Sequence, residues 1–169
     1  MHWKWDYNND IALIQFNRRI PFSTSVRPIC LPTVDSDYSG ERATVAGWGQ
    51  LLPRDAMNSK SNNLPKTLQK LDVPLIDTER CRNESNYERS EITDNMLCAG
   101  FMEGEKDACT GDSGGSLMIP NKNGRFTAIG IVSWGQSCAL SRFPGVYTRL
   151  GRYLRWIKEK TKAYSCFCY

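Results

Sequence analysis

Asp107-Ala-Cys-Thr-Gly-Asp-Ser-Gly-Gly115 is the stretch of this 169-residue chain that decides its fold. It places one serine, Ser113, between an acidic residue and two glycines, and a second acid, Asp107, stands six positions upstream. Glycines near a nucleophile let the backbone turn tightly, so that successive N–H groups point at one place and can stabilise an oxyanion. The pattern therefore indicates a serine nucleophile held in a backbone turn.

Two further segments accompany this stretch. Asn9-Asp10-Ile-Ala-Leu13 lies near the start of the chain, and Ser133-Trp134-Gly135 follows the serine. Together the three segments resemble the trypsin-like serine proteases, the chymotrypsin fold family, and the resemblance covers about residues 8 to 160. It implies an all-β fold: the C-terminal part of a double antiparallel β-barrel, with the second barrel complete, the first mostly missing, and a C-terminal helix.

The resemblance also implies how the chain is divided. Residues 1–162 are expected to form a partial peptidase domain, followed by a cysteine-containing tail at 163–169. Within the domain, 1–30 would be a remnant of the first barrel and the connection, 31–149 the second barrel, and 150–162 the helix.

A serine nucleophile needs a base, and the base needs an acid that orients it. In this family the three residues occur in the order His, Asp, Ser, and Asp10 matches the aspartate. The single histidine, His2, stands eight residues before Asp10 and is not part of the Ala-His-Cys segment that carries the family's base. We therefore expect the catalytic base to be missing and this chain alone to be inactive.

By resemblance, Asp107 is the carboxylate at the bottom of the pocket for the substrate side chain, where it would pair with Arg or Lys. Ala108 beside it removes a possible hydroxyl partner, which shifts the preference toward Arg. The partners implied are protein substrates with Arg or Lys at the cleavage site. The resemblance also assigns Ser133, Trp134 and Gly135 to the strand that pairs with the substrate backbone. Gly145 matches the glycine that keeps the pocket open.

The N–H groups of Gly111 and Ser113 would form the oxyanion hole. Asp112 resembles the family's activation switch, a carboxylate that pairs with an α-amino group released by zymogen cleavage. The Ile-Val-Gly-Gly type of segment that supplies this amine does not occur in the sequence. We therefore expect Asp112 to have no buried partner and the oxyanion hole to be disordered.

The seven cysteines are assigned in part by resemblance. It implies disulfides Cys81–Cys98 and Cys109–Cys138, with the glycosylation acceptor Asn83 inside the first loop. Cys30 matches the cysteine that tethers the domain to an N-terminal propeptide or light chain. Cys166 and Cys168 have no counterpart in the family; they are too close for an easy mutual bridge, and they are either free or intermolecular.

Composition restricts the location and the partners. The 22 basic and 18 acidic residues are scattered, which argues against a nucleic-acid partner, and no stretch is long enough to span a membrane. An odd number of cysteines and the acceptor tripeptide Asn83-Glu84-Ser85 favour a secreted, extracellular protein. Nothing in the resemblance or the composition calls for a metal or a cofactor.

Short β-type runs separated by glycine and proline predict strands over residues 10–16, 43–46, 69–75, 126–133 and 145–149. Apolar residues at helical spacing from Leu150 to Ile157 predict one helix near the end of the chain. The polar stretch Gln50–Asn63 predicts a surface loop, which resembles the family's autolysis loop.

Two interpretations of function remain. In the first, the chain is part of a trypsin-like endopeptidase that acts through Ser113 and Asp10. In the second, it is a non-catalytic homologue that serves as a binding or scaffold module. The intact Ser113 favours the first interpretation as a statement about the ancestry of the chain. The expected loss of the base favours a lack of activity in this chain.

Overall fold

The computed structural model describes residues 7–51, 64–104 and 106–162. Six β-strands lie within these ranges: Arg42–Gly47 (β1), Gln69–Ile76 (β2), Met96–Ala99 (β3), Ser116–Pro120 (β4), Phe126–Trp134 (β5) and Gly145–Arg149 (β6). The helical elements are Thr78–Glu84 (α1), Leu154–Thr161 (α2) and two single turns of 3-10 helix, Arg89–Glu91 and Leu150–Tyr153.

The six strands form a closed antiparallel barrel in the order β1-β2-β3-β6-β5-β4. Closure is made by β4, which pairs with β5 on one side and with β1 on the other, where Val45 lies opposite Leu117. A closed barrel leaves no strand edge for another chain to pair with. The observed strands confirm the predicted all-β fold, and the short helix at the end of the chain agrees with it.

The barrel interior is filled by side chains that alternate along the strands, as expected when one face of each strand is buried. On β1, Ala43 and Val45 point inward and are 1% and 4% exposed. The interior cluster draws on every strand: Ala43, Val45, Val73, Leu75, Leu97, Ala99, Leu117, Ile129 and Tyr147. This core fixes the strand ends from which the site residues project.

Two disulfides connect loops to the barrel. Cys81–Cys98 ties α1 to β3, and Cys109–Cys138 ties the segment before Ser113 to the loop after β5. α1 begins after Asp77, whose side chain accepts a 2.8 Å hydrogen bond from the N–H of Arg80. That bond satisfies one of the free N–H groups of the first helical turn.

The segment before the barrel differs from the sequence prediction. No strand is present at residues 10–16, although an apolar run predicts one there. A strand forms only where a second strand pairs with it, and no described strand runs beside this one. Its large side chains are consequently exposed, with Ile14 at 82%, Phe16 at 65% and Phe22 at 70%.

The other elements can be compared with the sequence prediction one by one. The predictions for β1, β2, β5 and β6 are confirmed to within one or two residues, and the terminal helix is confirmed as a 3-10 turn followed by α2. Sequence reasoning missed β3, β4 and α1. Most of the predicted loop at Gln50–Asn63 lies outside the described residues. None of the helices in the described ranges is long and apolar enough to cross a membrane.

Candidate active site

A cavity of about 440 Å³ opens at the ends of β5 and β6. Six residues predicted as site residues contribute to its lining: Asp107, Ser113, Ser133, Trp134, Gly135 and Gly145. They come from three separate stretches of sequence, which the barrel and the Cys109–Cys138 disulfide bring together. The structure thus gathers the predicted nucleophile and the predicted specificity carboxylate around one cavity.

Asp107 presents a buried acid to this cavity. Its Oδ1 is fully buried and has no hydrogen-bond partner among the described residues. Burial raises the pKa of its carboxyl group to about 7, against the opposing effect of backbone N–H groups of Ala139 and Ala108. A carboxylate with an unsatisfied buried oxygen is a strong acceptor for a cation that can enter the cavity.

The space beside Asp107 exists because residue 145 is a glycine. A Cβ added to Gly145 would lie 2.8 Å from Asp107 Oδ1 and 3.1 Å from the Tyr147 ring. The hydroxyl of Tyr147 is also buried without a described partner, and burial raises its pKa far above the usual range. The cavity floor therefore holds two polar atoms that a donor or acceptor on a ligand could satisfy.

Ser113 sits in a turn shaped by glycines on either side. Gly111 has a φ of +103° and Gly114 a φ of +82°, conformations that side-chain-bearing residues rarely adopt. The turn is closed by the N–H of Gly115, which donates to the carbonyl of Asp112 at 2.9 Å, and Gly114 donates to Val132 at 2.9 Å. Ser113 itself remains exposed.

The N–H groups of Gly111 and Ser113 are left available by this turn. No described carbonyl or side chain accepts a hydrogen bond from either group. Two such donors beside a serine hydroxyl are the arrangement that stabilises the oxyanion of a tetrahedral intermediate.

Asp112 has partners that the sequence did not predict. Its Oδ1 accepts a 2.8 Å hydrogen bond from the N–H of Gly49, and its Oδ2 accepts one of 3.0 Å from the N–H of Cys109. The expectation of an unpartnered carboxylate was therefore wrong. A Cβ at Gly47 would lie 1.9 Å from Asp112 Oδ1, so glycine is required there for the carboxylate to enter. The bonds hold the turn before Ser113 in a defined conformation.

Asp10 is attached to the same wall of the cavity. Its Oδ2 accepts a 2.6 Å hydrogen bond from the Ser133 hydroxyl, and its backbone carbonyl accepts one of 2.6 Å from the Thr148 hydroxyl. The preceding residue, Asn9, has a φ of 62° and accepts a 2.9 Å hydrogen bond from the Tyr153 hydroxyl. These contacts fix the acid at the ends of β5 and β6, although the segment that carries it forms no strand.

An aromatic cluster contributes Tyr7 and Trp134 to the lining of the cavity, and sequence reasoning missed most of the cluster. Tyr7 stacks on Trp134 with ring centroids 5.7 Å apart, and Tyr87 meets Trp134 edge-on at 5.0 Å. The Tyr87 hydroxyl donates to the carbonyl of Pro144 at 3.0 Å and accepts from the N–H of Gln136 at 3.2 Å. Burial raises the pKa of Tyr87 to about 12, so it remains a donor at neutral pH. Tyr7 could have been suspected from its place beside the Asn-Asp segment, whereas no local signal marks Tyr87.

None of these residues is a histidine that could act as the base. His2, the chain's single histidine, lies outside the described residues. No group of three or more potential metal ligands occurs in the described part of the chain. The described residues therefore bring the Ser113 hydroxyl, the N–H groups of Gly111 and Ser113 and the buried carboxyl group of Asp107 to one cavity, with Asp10 attached to its wall through Ser133.

Comparison with known proteins defines the family. The family model described as Trypsin matches residues 1–157. The proclotting enzyme of Tachypleus tridentatus is 43% identical over 90% of this chain and 40% of its own length. Serine proteinase stubble of Drosophila melanogaster is 40% identical over 92% of this chain and 19% of its own length. Trypsin-1 of Astacus astacus is 40% identical over 94% of this chain and 63% of its own length. The chain belongs to the trypsin family of serine proteases, and it spans less than two thirds of each of these relatives.

Proposed function

We propose that this chain is the substrate-binding part of a serine endopeptidase that cleaves proteins after Arg or Lys. The observation that carries the proposal is the buried, unsatisfied Oδ1 of Asp107 at the floor of a cavity whose rim bears Ser113. A guanidinium or ammonium group that enters the cavity would gain a charge-assisted hydrogen bond to an oxygen that has no other described partner. Ala108 contributes no hydroxyl group, which favours the broader guanidinium of Arg.

In the proposed reaction, Ser113 Oγ attacks the carbonyl carbon of the cationic residue itself. A base takes the hydroxyl proton and returns it to the amine that leaves when the C–N bond breaks. The N–H groups of Gly111 and Ser113 stabilise the oxyanion, and the backbone of Ser133–Gly135 aligns the substrate chain. The Ser133 hydroxyl donates to Oδ2 of Asp10, and the other oxygen of this carboxylate would orient an imidazole. That imidazole has to come from outside the described residues.

We infer that this chain alone binds the cationic side chain of a substrate but does not cleave the substrate. His2 is the one histidine available, and eight residues of tether would have to fold back for it to stand between Asp10 and Ser113. Loss of one triad member costs several orders of magnitude in rate, because the oxyanion hole and substrate binding then act alone. The alternative, a non-catalytic binding or scaffold module, makes the same prediction for the isolated chain but predicts no activity in any longer form.

The chain is also proposed to be secreted, with glycosylation at Asn83. Two disulfides are in place, and such bonds persist in oxidising compartments. Asn83 lies on exposed α1, where its side-chain oxygen accepts a hydrogen bond from Arg89. Removal of glycan by an amidase, read as a mass change at Asn83 in protein secreted from eukaryotic cells, tests this part.

Binding of p-aminobenzamidine, a fluorescent cation of guanidinium shape, tests the proposed specificity. We expect saturable binding to the full chain at pH 8 and a loss of at least tenfold in affinity for Asp107→Ser. Glu41→Gln removes an exposed carboxylate outside the cavity lining and serves as the matched control, with unchanged affinity expected. Equal binding by all three proteins would contradict the proposal.

A further inference from the structure

Asp10 belongs to a segment that no neighbouring strand holds. Residues 7–10 form no helix or strand, so side-chain contacts have to keep them against the barrel. Asn95 makes two of these contacts: its Nδ2 donates to Oδ1 of Asn8 at 3.1 Å and to Oδ1 of Asn9 at 3.2 Å. We propose that Asn95 is a positioning residue, which sets the direction of the Asp10 carboxylate by holding the two residues before it. This inference rests on the proposed role of Asp10 as the orienting acid.

Asn95 is the residue that joins the two asparagines into one network. A primary amide has two N–H groups, so its single nitrogen can serve both oxygens at once. Each oxygen also has a second donor: the Thr93 hydroxyl donates to Asn8 Oδ1 at 2.9 Å, and the Tyr153 hydroxyl donates to Asn9 Oδ1 at 2.9 Å. Thr93 and Tyr153 each reach one asparagine, whereas Asn95 reaches both.

Asn95 is itself fixed to the barrel. It comes immediately before β3, and its carbonyl accepts a 2.8 Å hydrogen bond from the N–H of Arg149 at the end of β6. Its N–H donates to the hydroxyl oxygen of Thr93 at 3.3 Å. The residue is half-buried. Because its backbone is bonded on both sides, its side-chain amide is presented to Asn8 and Asn9 from a defined position.

The link from Asn9 to Asp10 is a tight turn. The N–H of Ile11 donates to the carbonyl of Asn9 at 2.9 Å, which makes Asp10 the central residue of a γ-turn. Asn9 has a φ of 62°, a left-handed conformation that asparagine adopts more readily than most residues. Since the turn has three residues, a change in the conformation of Asn9 redirects the carboxylate of Asp10. A bond that holds the Asn9 side chain therefore holds the direction of the acid.

The contacts of Asp10 itself come from two other strands. Ser133 in β5 donates to its Oδ2, and Thr148 in β6 donates to its carbonyl. β3, which Asn95 precedes, lies next to β6 in the barrel, and β6 lies next to β5. The attachments thus come from three adjacent strands. Loss of the Asn95 amide would leave Asp10 attached but in a different direction, so that its carboxylate aligns less well with the Ser133 hydroxyl.

Carbon-13 NMR of the Asp10 carboxyl group in the full chain tests this role. In Asn95→Ala, we expect its resonance to move toward the position that it takes in Ser133→Ala, where the carboxylate has lost its hydrogen bond. Amide hydrogen exchange at Ile11 should become about tenfold faster, because the turn loses two supporting hydrogen bonds. A residue that only stabilises the barrel would change the free energy of unfolding and leave the Asp10 resonance in place, and that outcome would overturn the proposal.

Asn9→Gly provides a second test outside the barrel strands. Glycine adopts a positive φ without strain, so the turn can still form, but the amide oxygen that Asn95 and Tyr153 bind is gone. We expect the Asp10 resonance to move in the same direction as in Asn95→Ala. This variant decides the question if Asn95→Ala does not fold, and an unchanged resonance in it contradicts the proposal.

Asn123→Ala is the matched control. Asn123 is exposed in the turn between β4 and β5, at the end of β5 that lies away from Ser133. The control should leave the Asp10 resonance and the exchange of Ile11 unchanged. Failure of the unsubstituted chain to bind p-aminobenzamidine would count against the proposed specificity alone, because neither readout involves the Asp107 cavity. An Asp10 resonance that ignores Asn95→Ala in a chain that does bind this cation would count against the role of Asn95 alone.

Discussion

The hydroxyl of Ser133 donates a 2.6 Å hydrogen bond to Oδ2 of Asp10, across 123 residues of sequence. This bond joins the segment before the barrel to the strand that forms one wall of the cavity. It holds the acid beside the proposed substrate site even though residues 10–16 form no strand. The position of Asp10 therefore depends on side-chain contacts with the barrel.

Replacing Ser133 by alanine is expected to loosen this attachment. Loss of one hydrogen bond to an exposed carboxylate should lower the free energy of unfolding by about 1 kcal/mol or less. The more specific effect is faster amide hydrogen exchange at residues 7–11, with unchanged exchange in β1 and β2. Ser137→Ala, which removes a hydroxyl from the same cavity lining, is the control and should leave exchange at residues 7–11 as it is.

The raised pKa of Asp107 makes cation binding depend on pH. Burial favours the neutral acid in the empty cavity, whereas a bound guanidinium favours the carboxylate, so binding releases a proton below about pH 7. Affinity for p-aminobenzamidine should be constant above that pH and fall by about tenfold for each unit of pH below it. Calorimetry in buffers of different ionisation enthalpy at pH 6 would measure the released proton.

The raised pKa of Asp107 also affects the stability of the folded chain. Its contribution to stability falls as pH rises, whereas the affinity for the cation rises. The pKa of Asp107 is higher in the folded state than in the unfolded state, so the folded state binds more protons between about pH 4 and 7. The contribution of this group to stability should therefore decrease as pH rises through that window. Asp107→Asn should flatten this part of the profile, and a steeper profile in the variant would contradict the assignment.

Gly145→Ala should close the cavity. The added Cβ would stand 2.8 Å from Asp107 Oδ1, which is closer than such contacts allow, and binding of p-aminobenzamidine should fall at least tenfold. Gly124→Ala is a suitable control, because its Cβ meets nothing within 4 Å while its φ of +70° makes the substitution strained. The control should lose about 1 kcal/mol of stability and keep its affinity.

Asp112→Ala should disorder the turn that carries Ser113. Two N–H groups, those of Gly49 and Cys109, lose their acceptor, and the free energy of unfolding should fall by about 1–3 kcal/mol. Hydrogen exchange at Gly49 and Cys109 is the local readout. Asp37→Ala removes an exposed carboxylate that accepts from Ser39 in a surface turn, and it should cause a smaller loss.

Four of the six barrel strands, β1, β2, β5 and β6, could be predicted because each carries a local pattern. Ala43 and Val45 alternate with outward residues on β1, and β5 is rich in β-branched and apolar residues. The same kind of pattern at residues 10–16 was misleading, because a strand also needs a neighbour and none is present in the described chain. Local sequence records the preference of a segment but not whether its partner exists.

The site could be predicted where a motif is contiguous. Ser113, Gly111 and Asp107 lie within seven residues, so their relation is visible in the sequence. One of the two partners of Asp112 is the N–H of Gly49, 63 residues away, and any residue other than proline has such a group. Contacts made by backbone atoms of distant segments leave no mark in residue identity, which explains why this one was missed.

Labelling of Ser113 by a diphenyl phosphonate with a guanidinium side chain tests the central claim most directly. Its guanidinium is expected to enter the Asp107 cavity under the proposed specificity, but its covalent attachment requires a hydroxyl activated by a base. We predict that intact mass measurement shows no adduct on this chain under conditions in which a complete trypsin is fully labelled. An adduct that maps to Ser113 and is lost in Ser113→Ala would show that the chain has a working base and would contradict the account.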